Sequence, residues 1–155
     1  MTSMMQVVEQ TLREEEISYK PLPHDPHSLG IRFQGVQGEW LSVVIVREEI
    51  QEVVFYSVAP HSVPTERRAD VAEFLMRANY GLAIGNFEMD FDDGEVRFRT
   101  GLDVENDRLS PALLKSLMYS NWVTLDRYLP GLEAVIAGQV SPANAVEQAE
   151  QADEE

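Results

Sequence analysis

Two neighbouring runs of apolar residues constrain this 155-residue chain more than any other feature of its sequence. Ser42 is the only polar residue between Trp40 and Val46, and the stretch from Val53 to Tyr56 repeats the pattern. These β-branched and aromatic residues favour strands, and neither run alternates between apolar and polar positions, so both faces of the strands require cover. One face can receive the chain's own helices. We infer that the other face receives more chain or a partner molecule.

The flanking patterns predict an α+β fold in the order helix, three-stranded antiparallel meander, helix, β-hairpin and C-terminal helix or helices packed on the sheet. Pro64 and Gly81 are typical of the start and the end of the second helix. Ser110 caps a third helical region that Pro130 kinks or divides and Gly138 ends. The earlier predicted segments are a helix over 3–15, an extended stretch over 17–23, a loop over 24–29 and three strands within 30–60.

The segment from Asn86 to Leu102 carries the clearest local signal. Its Asp93-Gly94 pair is typical of a two-residue type I′ turn between antiparallel strands. The register that follows puts apolar residues on one face and opposite charges on the other. The predicted pairs are Phe91 with Val96, Met89 with Phe98, Asp90 with Arg97 and Glu88 with Arg99.

Length predicts one domain, over residues 1–138, followed by an acidic C-terminal tail over 139–155. The tail has five acidic residues after Gln139 and no basic one. Ser141-Pro142 is typical of a helix start, so two alternatives stay open for this segment, a short helix or a loosely held tail.

Charge argues against several classes of partner. The chain has 27 acidic and 12 basic residues, a formal net charge of -15, so phosphate backbones and anionic membranes are repelled. We therefore expect neither a nucleic acid nor a membrane as partner. No cysteine is present, and we recognise no signal peptide and no membrane-spanning run, so we expect a cytoplasmic protein.

No set of residues predicts a catalytic, cofactor or metal site. His24 and His27 flank Pro26 in the predicted loop, which favours a polar loop over a metal site, even if His61 joins them. The acidic run from Asp90 to Glu95 lacks the ligand spacing of a calcium loop, and a hairpin tip explains it. We expect no enzyme activity and no cofactor.

The segment from Arg68 to Gly138 carries a recognisable set of motifs, which are Asn79-Tyr80-Gly81, Gly85-Asn86-Phe87, Asp93-Gly94, Leu113-Leu114 and 132–138. With these motifs the segment resembles the YbjN family of bacterial sensory transduction regulators, and looks like the fold shared with type III secretion chaperones. The likeness extends more weakly back to Ser3. It implies a homodimer and, by analogy with secretion chaperones that present grooves to an extended peptide, a protein or peptide client.

We therefore predict a non-enzymatic protein-interaction domain, chaperone-like or regulatory. Trp40, Phe55 and Tyr56 are its candidate interface aromatics, with burial in the core as the alternative for each. A small-ligand sensor, with a pocket between the sheet and the last helix, is the alternative function.

Overall fold

The computed structural model describes residues 2–152. Within that range, one six-stranded antiparallel sheet carries four α-helices. Its strand order is β1-β2-β3-β4-β6-β5, so only the pairing of β4 with β6 joins strands that are not consecutive in the chain. The elements are α1 (Met4–Glu14), β1 (Lys20–Leu22), β2 (Asp25–Gln34), β3 (Glu39–Arg47), β4 (Glu52–Val58), α2 (Arg68–Asn79), β5 (Asn86–Met89), β6 (Val96–Asp103), α3 (Pro111–Ile136) and α4 (Pro142–Gln151).

The predicted loop over 24–29 is wrong, because most of it belongs to β2. A short strand, β1, pairs with β2 and adds a fourth strand to the meander. Pro26 is tolerated there because the pairing of β2 with β3 begins only at Ser28, so no ladder hydrogen bond is lost. The extended stretch predicted over 17–23 contains this strand, whose ladder with β2 is irregular between Pro21 and Leu22.

The predicted hairpin exists, but its register is wrong by two residues. Met89 pairs with Val96, and Glu88 pairs with Arg97. A two-residue shift leaves the paired side chains on their predicted faces, because the side-chain period of a strand is two. Phe91, which was predicted to pair with Val96, lies instead in the connection and is 60% exposed. The connection is longer than predicted because a backbone bond from the Asp90 N–H to the Glu95 carbonyl closes it.

All four helices contribute to one core against a single face of the sheet. This helix-covered face includes Ile31, Val44, Phe55 and Phe98, which are at most 1% exposed. Ser3 and Gln6 form a capping box at the start of α1, and Ser110 caps α3. The α3 helix continues through Pro130 to Ile136, so the predicted division there does not occur.

Of the two alternatives for the C-terminal segment, the structure contains the helix. Ser141 caps α4, and Ala145, Val146 and Ala149 are buried against α2 and α3. The Arg127 guanidinium donates to the backbone carbonyls of Ala149 and Glu150. Residue 1 and residues 153–155, the end of the predicted acidic tail, lie outside the described residues.

Among residues 2–152, the helices are too short or too polar for any of them to cross a lipid bilayer.

Candidate interaction surface

The face of the sheet opposite the helices, here called the open face, is formed by alternate residues of the six strands. Cross-strand pairing fixes its central row as Gly30, Val43, Tyr56, Arg99 and Asn86. Leu41, Ile45, Val54 and Val58 lie on the same face, since they are two residues from a member of that row. None of these apolar side chains belongs to the core that the helices cover, among the residues that the structure describes.

The middle of the open face is apolar and only partly shielded. We call this region the apolar strip: Leu22, Leu41, Val43, Ile45, Val54, Tyr56 and Val58. Leu41 is 41% exposed, and most other members are half-buried by their neighbours in the sheet, whereas Val54 at the centre is buried. The side chains of Leu22 and Leu41 approach each other over Gly30, where a Cβ atom would lie 3.1 Å from Leu22 Cδ2 and 3.7 Å from Leu41 Cδ1. A glycine at this position therefore lets two leucines join the strip across β1, β2 and β3.

The side chain of Tyr56 links the apolar strip to a charged corner. The Arg97 guanidinium lies 4.0 Å from the centre of the Tyr56 ring, in the geometry of a cation–π contact. Glu88 Oε1 accepts from Arg97 Nε at 2.8 Å, and Glu88 Oε2 lies 3.7 Å from Arg99 Nη1. One carboxylate therefore serves two arginines, which leaves this corner with an excess of positive charge.

The remaining charged groups of the open face are paired more evenly. Arg32 donates to Glu39 at 3.2 Å, and Arg47 lies 4.0 Å from Glu52. These side chains are a third to three quarters exposed, so each pair contributes only about 0.2 to 1 kcal/mol to stability. Their main effect is to keep the rim of the open face close to neutral.

The charge of the open face differs from that of the rest of the molecule. The described strand positions of this face carry five basic and four acidic side chains, a net charge of +1. Because the whole chain carries -15, the remainder carries -16. The basic residues are Lys20, Arg32, Arg47, Arg97 and Arg99, and the acidic ones are Glu39, Glu52, Glu88 and Asp103.

The three candidate interface aromatics separate between the two faces. Trp40 and Phe55 are 2% and 0% exposed on the helix-covered face, so the core-burial alternative describes both. Trp40 is an even-numbered residue of β3 and Phe55 is an odd-numbered residue of β4, and both positions lie on the helix-covered face. Tyr56, in contrast, lies on the open face. Sequence reasoning recognised that both faces are apolar, but it did not single out Leu41, Val43 or Ile45, whose shared odd numbering is the available signal.

The histidines do not converge. His24 and His27 are exposed near the start of β2, whereas His61 Nε2 lies 2.9 Å from Glu133 Oε1 on α3. The Ser28 hydroxyl donates to Asp25 at 2.6 Å, and this bond, helped by the His27 N–H, lowers the pKa of the Asp25 carboxyl. Within residues 2–152 no three histidine or acidic side chains are grouped closely enough to hold a metal ion.

The carboxylates of the acidic hairpin tip accept hydrogen bonds from the backbone of the same loop. Asp90 accepts from the backbone N–H of Asp92, and Asp93 accepts from that of Glu95, both at 2.8 Å. These side chains shape the loop, which accounts for the aspartates without a bound cation.

The predicted pocket between the sheet and the last long helix is filled by side chains. The ring of Trp122 on α3 stacks on Phe33 at 4.3 Å and meets Phe55 edge-on at 5.6 Å. Elsewhere, an open cleft between α2 and α4 is bordered by Met76 and Tyr80, which are 71% and 89% exposed.

Comparison with known proteins identifies the family. Residues 5–134 match the model of YbjN, described as "Putative bacterial sensory transduction regulator". The chain belongs to the YbjN family. The matched range includes all six strands and α2, most of α1, and α3 almost to its end, so the open face is built within the YbjN domain and α4 lies beyond the match.

Three solved structures are similar to the chain at low sequence identity, and that of YbjN shows the same fold. The crystal structure of YbjN from E. coli, described as "a putative transcription regulator", superposes with a TM-score of 0.63 at 12% identity, covering 86% of this chain and 93% of that one. The HopA1–SchA chaperone–effector complex includes a chain with a TM-score of 0.47 at 15% identity, covering 79% and 89%. For the ExsC–ExsE complex the values are 0.49 and 13%, covering 80% and 91%. No curated protein matches the chain.

Proposed function

We propose that this YbjN-family chain is a non-enzymatic protein-interaction domain, chaperone-like or regulatory, which binds a protein partner on the open face of its sheet. One observation carries the proposal: the helices pack on a single face, and the apolar strip on the other face has no cover among the described residues. The family assignment to regulators agrees with a role in binding.

Burial of the strip provides a driving force for association. Removing a Val or Leu side chain from water contributes about 1.5 to 3 kcal/mol when burial is complete, and the half-buried members of the strip retain a fraction of that. Six of the seven strip residues keep some exposure in the single chain, so a partner can gain several such fractions at once. Association must first offset about 4 kcal/mol or more of lost freedom, so a partner has to cover most of the strip.

The layout of the open face favours a protein over a small molecule. Stable protein interfaces combine an apolar centre with a polar rim, and aromatic and arginine side chains are enriched in them. The apolar strip supplies the centre, while Arg97, Arg99 and Glu88 supply one side of the rim. The strip extends across the width of the sheet from β1 to β4, whereas a small ligand requires a concave site that surrounds it. The homodimer that the family resemblance implies is also part of this proposal.

A matched pair of substitutions tests the proposal. Val43→Glu places a carboxylate in the middle of the strip, and Val123→Glu places the same group on α3, where the valine is 66% exposed. We expect affinity capture with the wild type and with Val123→Glu to recover the same protein in a fixed ratio. Capture with Val43→Glu should lose that protein, with a dissociation constant raised by about 100-fold or more when the purified pair is titrated.

The two variants must first show the same circular dichroism and cooperative unfolding as the wild type. A partner held equally by both variants would place the binding surface away from the open face, and the proposal would then be wrong.

A further inference from the structure

We infer that the cleft between α2 and α4 binds a basic, apolar segment of a protein partner as a short helix. The cleft has a volume of about 680 Å³. Because α2 and α4 belong to the helical layer, it lies on the opposite side of the sheet from the open face, and the inference does not depend on the function proposed there. We call this site the α2–α4 cleft, and its lining includes Met76, Arg77, Tyr80, Val146, Glu147 and Glu150.

The apolar part of the α2–α4 cleft combines exposed and buried side chains. Met76 and Tyr80 at the end of α2 are largely exposed, whereas Val146 on α4 is buried. Exposed apolar side chains grouped in one place mark interaction sites. Tyrosine, methionine and arginine are also enriched in protein interfaces, and a methionine side chain adapts to the shape of its partner. The composition of the cleft is therefore that of a protein-binding site.

The α4 side of the cleft is acidic. Glu147 accepts a hydrogen bond from Gln151 Nε2, and Glu150 accepts one from the Tyr128 hydroxyl, both at 3.2 Å. Because these donors are neutral, both carboxylates keep their negative charge for a cationic partner. On the α2 side, Arg77 forms an ion pair within its own helix at 2.8 Å. The cleft therefore places negative charge directly beside its apolar surface.

Charge complementarity identifies a basic partner. The chain carries -15, and -16 of that charge lies away from the open face, so the part of the molecule that surrounds the cleft attracts cations. A lysine or arginine of the partner can pair with Glu147 or Glu150 while a neighbouring apolar side chain covers Met76. A cationic group can also lie against the Tyr80 ring. An acidic segment would make the same apolar contacts and be repelled.

The shape of the cleft favours a peptide helix over a small molecule. Its walls are two helices, and an amphipathic helix binds in such a groove through apolar residues at i, i+4 and i+7. The α4 helix has 10 residues, so the groove is about 15 Å long, enough for about three turns of a bound helix. A small ligand requires a site that buries most of its surface, whereas Met76 and Tyr80 stand open to solvent.

One wall of the cleft lies beyond the YbjN domain. The family match ends at residue 134, whereas α4 begins at Pro142. This helix supplies both carboxylates and the buried valine of the cleft. Arg127 on α3 donates to the backbone carbonyls of Ala149 and Glu150, which fixes the end of α4 in place. The C-terminal segment therefore builds half of the binding site.

Two synthetic peptides test the inference when each is titrated with the full chain and followed by fluorescence anisotropy. Both have about 14 residues, with leucines at i, i+4 and i+7, and differ only in the flanking residues, which are lysines in one and glutamates in the other. We expect the lysine peptide to bind with a micromolar dissociation constant and the glutamate peptide not to bind. Added sodium chloride should weaken the binding, because it screens the attraction between the charges.

A matched pair of double variants separates the cleft from general attraction to an acidic chain. Glu147→Gln with Glu150→Gln removes two charges from the cleft, and Glu95→Gln with Glu105→Gln removes two exposed charges elsewhere. We expect the dissociation constant of the lysine peptide to rise at least about fivefold for the cleft pair and less than about twofold for the control pair.

A second comparison tests the apolar contacts. Tyr80→Ala should raise the dissociation constant by about tenfold, whereas Val36→Ala should leave it unchanged, because Val36 has the same exposure, 88% against 89%, and lies outside the cleft. Val43→Glu on the open face should bind the lysine peptide as the wild type does. Circular dichroism and thermal unfolding check that each variant is folded.

The inference is overturned if the wild type does not bind the lysine peptide, if it binds the glutamate peptide equally well, or if the control pair weakens binding as much as the cleft pair. Loss of binding in Val43→Glu would place the peptide on the open face and would also refute it. If benzyltrimethylammonium shifts the NMR signals of Tyr80 and Glu150 and the lysine peptide does not, the occupant is a small cation and the peptide helix is wrong.

Discussion

The side chain of Asn121 on α3 donates hydrogen bonds to the middle of the sheet. Its replacement by aspartate is expected to make the free energy of unfolding fall steeply as pH rises. The side chain is fully buried. Its Nδ2 lies 3.1 Å from the carbonyl oxygens of Phe55 and Phe98 and 3.3 Å from the Thr100 hydroxyl oxygen. The Thr100 hydroxyl donates its own proton to the Leu117 carbonyl, so it is not available to a carboxylate. Asn121→Asp therefore keeps the shape of the side chain but directs a second oxygen at three acceptors.

The size of the effect follows from proton linkage. A buried carboxyl without donors has a raised pKa, so the folded variant keeps its proton while the unfolded chain ionises above a pKa of about 3.9. The folded state then binds one more proton than the unfolded state, and the free energy of unfolding falls by about 1.4 kcal/mol for each pH unit. Between about pH 5.5 and 7.5 the variant should lose roughly 2.7 kcal/mol more than the wild type, a large part of the roughly 5 to 15 kcal/mol of an ordinary domain.

Urea unfolding of both proteins, followed by circular dichroism at about pH 5.5, 6.5 and 7.5, measures this difference. Asn144→Asp is the control, because it makes the same chemical change at an exposed site in the first turn of α4. Its free energy of unfolding should stay within about 0.5 kcal/mol of the wild type at every pH. If Asn121→Asp shows the same pH dependence as the wild type, the carboxylate must reach water or a donor, and the burial of residue 121 between α3 and the sheet would be refuted.

Two smaller predictions concern the hairpin tip and the edge of the open face. Gly94→Ala should destabilise the protein by at least about 1 kcal/mol more than Gly81→Ala, as measured by chemical denaturation. Both glycines have positive φ. A Cβ at residue 94 would collide with the Val63 carbonyl, whereas residue 81 has open space around it. Equal losses would contradict the packing of the tip. Ser28→Ala should raise the pKa of Asp25 towards its usual value near 3.8 in an NMR titration, since the hydroxyl bond is the main cause of its lowering. The stabilisation from this lowered pKa is present above the unfolded pKa and lost as pH falls through the folded one, so an unchanged titration would exclude this bond as the cause.

The two strands that are apolar on both faces were predictable because their signal lies in composition alone. Each residue from Val43 to Val46 belongs to an apolar surface. Val44 and Val46 are buried under the helices, and Val43 and Ile45 lie on the open face. The assignment of each residue to a face was not predictable, because a run without alternation fits either parity. Trp40 and Phe55 illustrate the consequence, since they were candidates for the interface and lie in the core.

The hairpin register depended on tertiary contacts that the local sequence does not contain. Asp93-Gly94 alone favours the tightest turn. In the structure the Val63 N–H donates to the Gly94 carbonyl, and the Arg68 guanidinium donates to the Phe91 carbonyl. These bonds fix the loop from outside the hairpin, so residues 90–92 and 95, which a two-residue turn would have placed in the strands, remain in the connection.

The charge distribution connects the fold with the proposed role. An acidic surface can attract any basic partner. The open face has no excess of acidic charge that would do so, because Arg32, Arg97 and Arg99 balance its carboxylates. Under the proposed function, specificity for a partner comes from the match of apolar shapes and from the repulsion of other acidic surfaces by the acidic remainder of the chain. A partner suited to the open face therefore presents an apolar surface that is close to neutral.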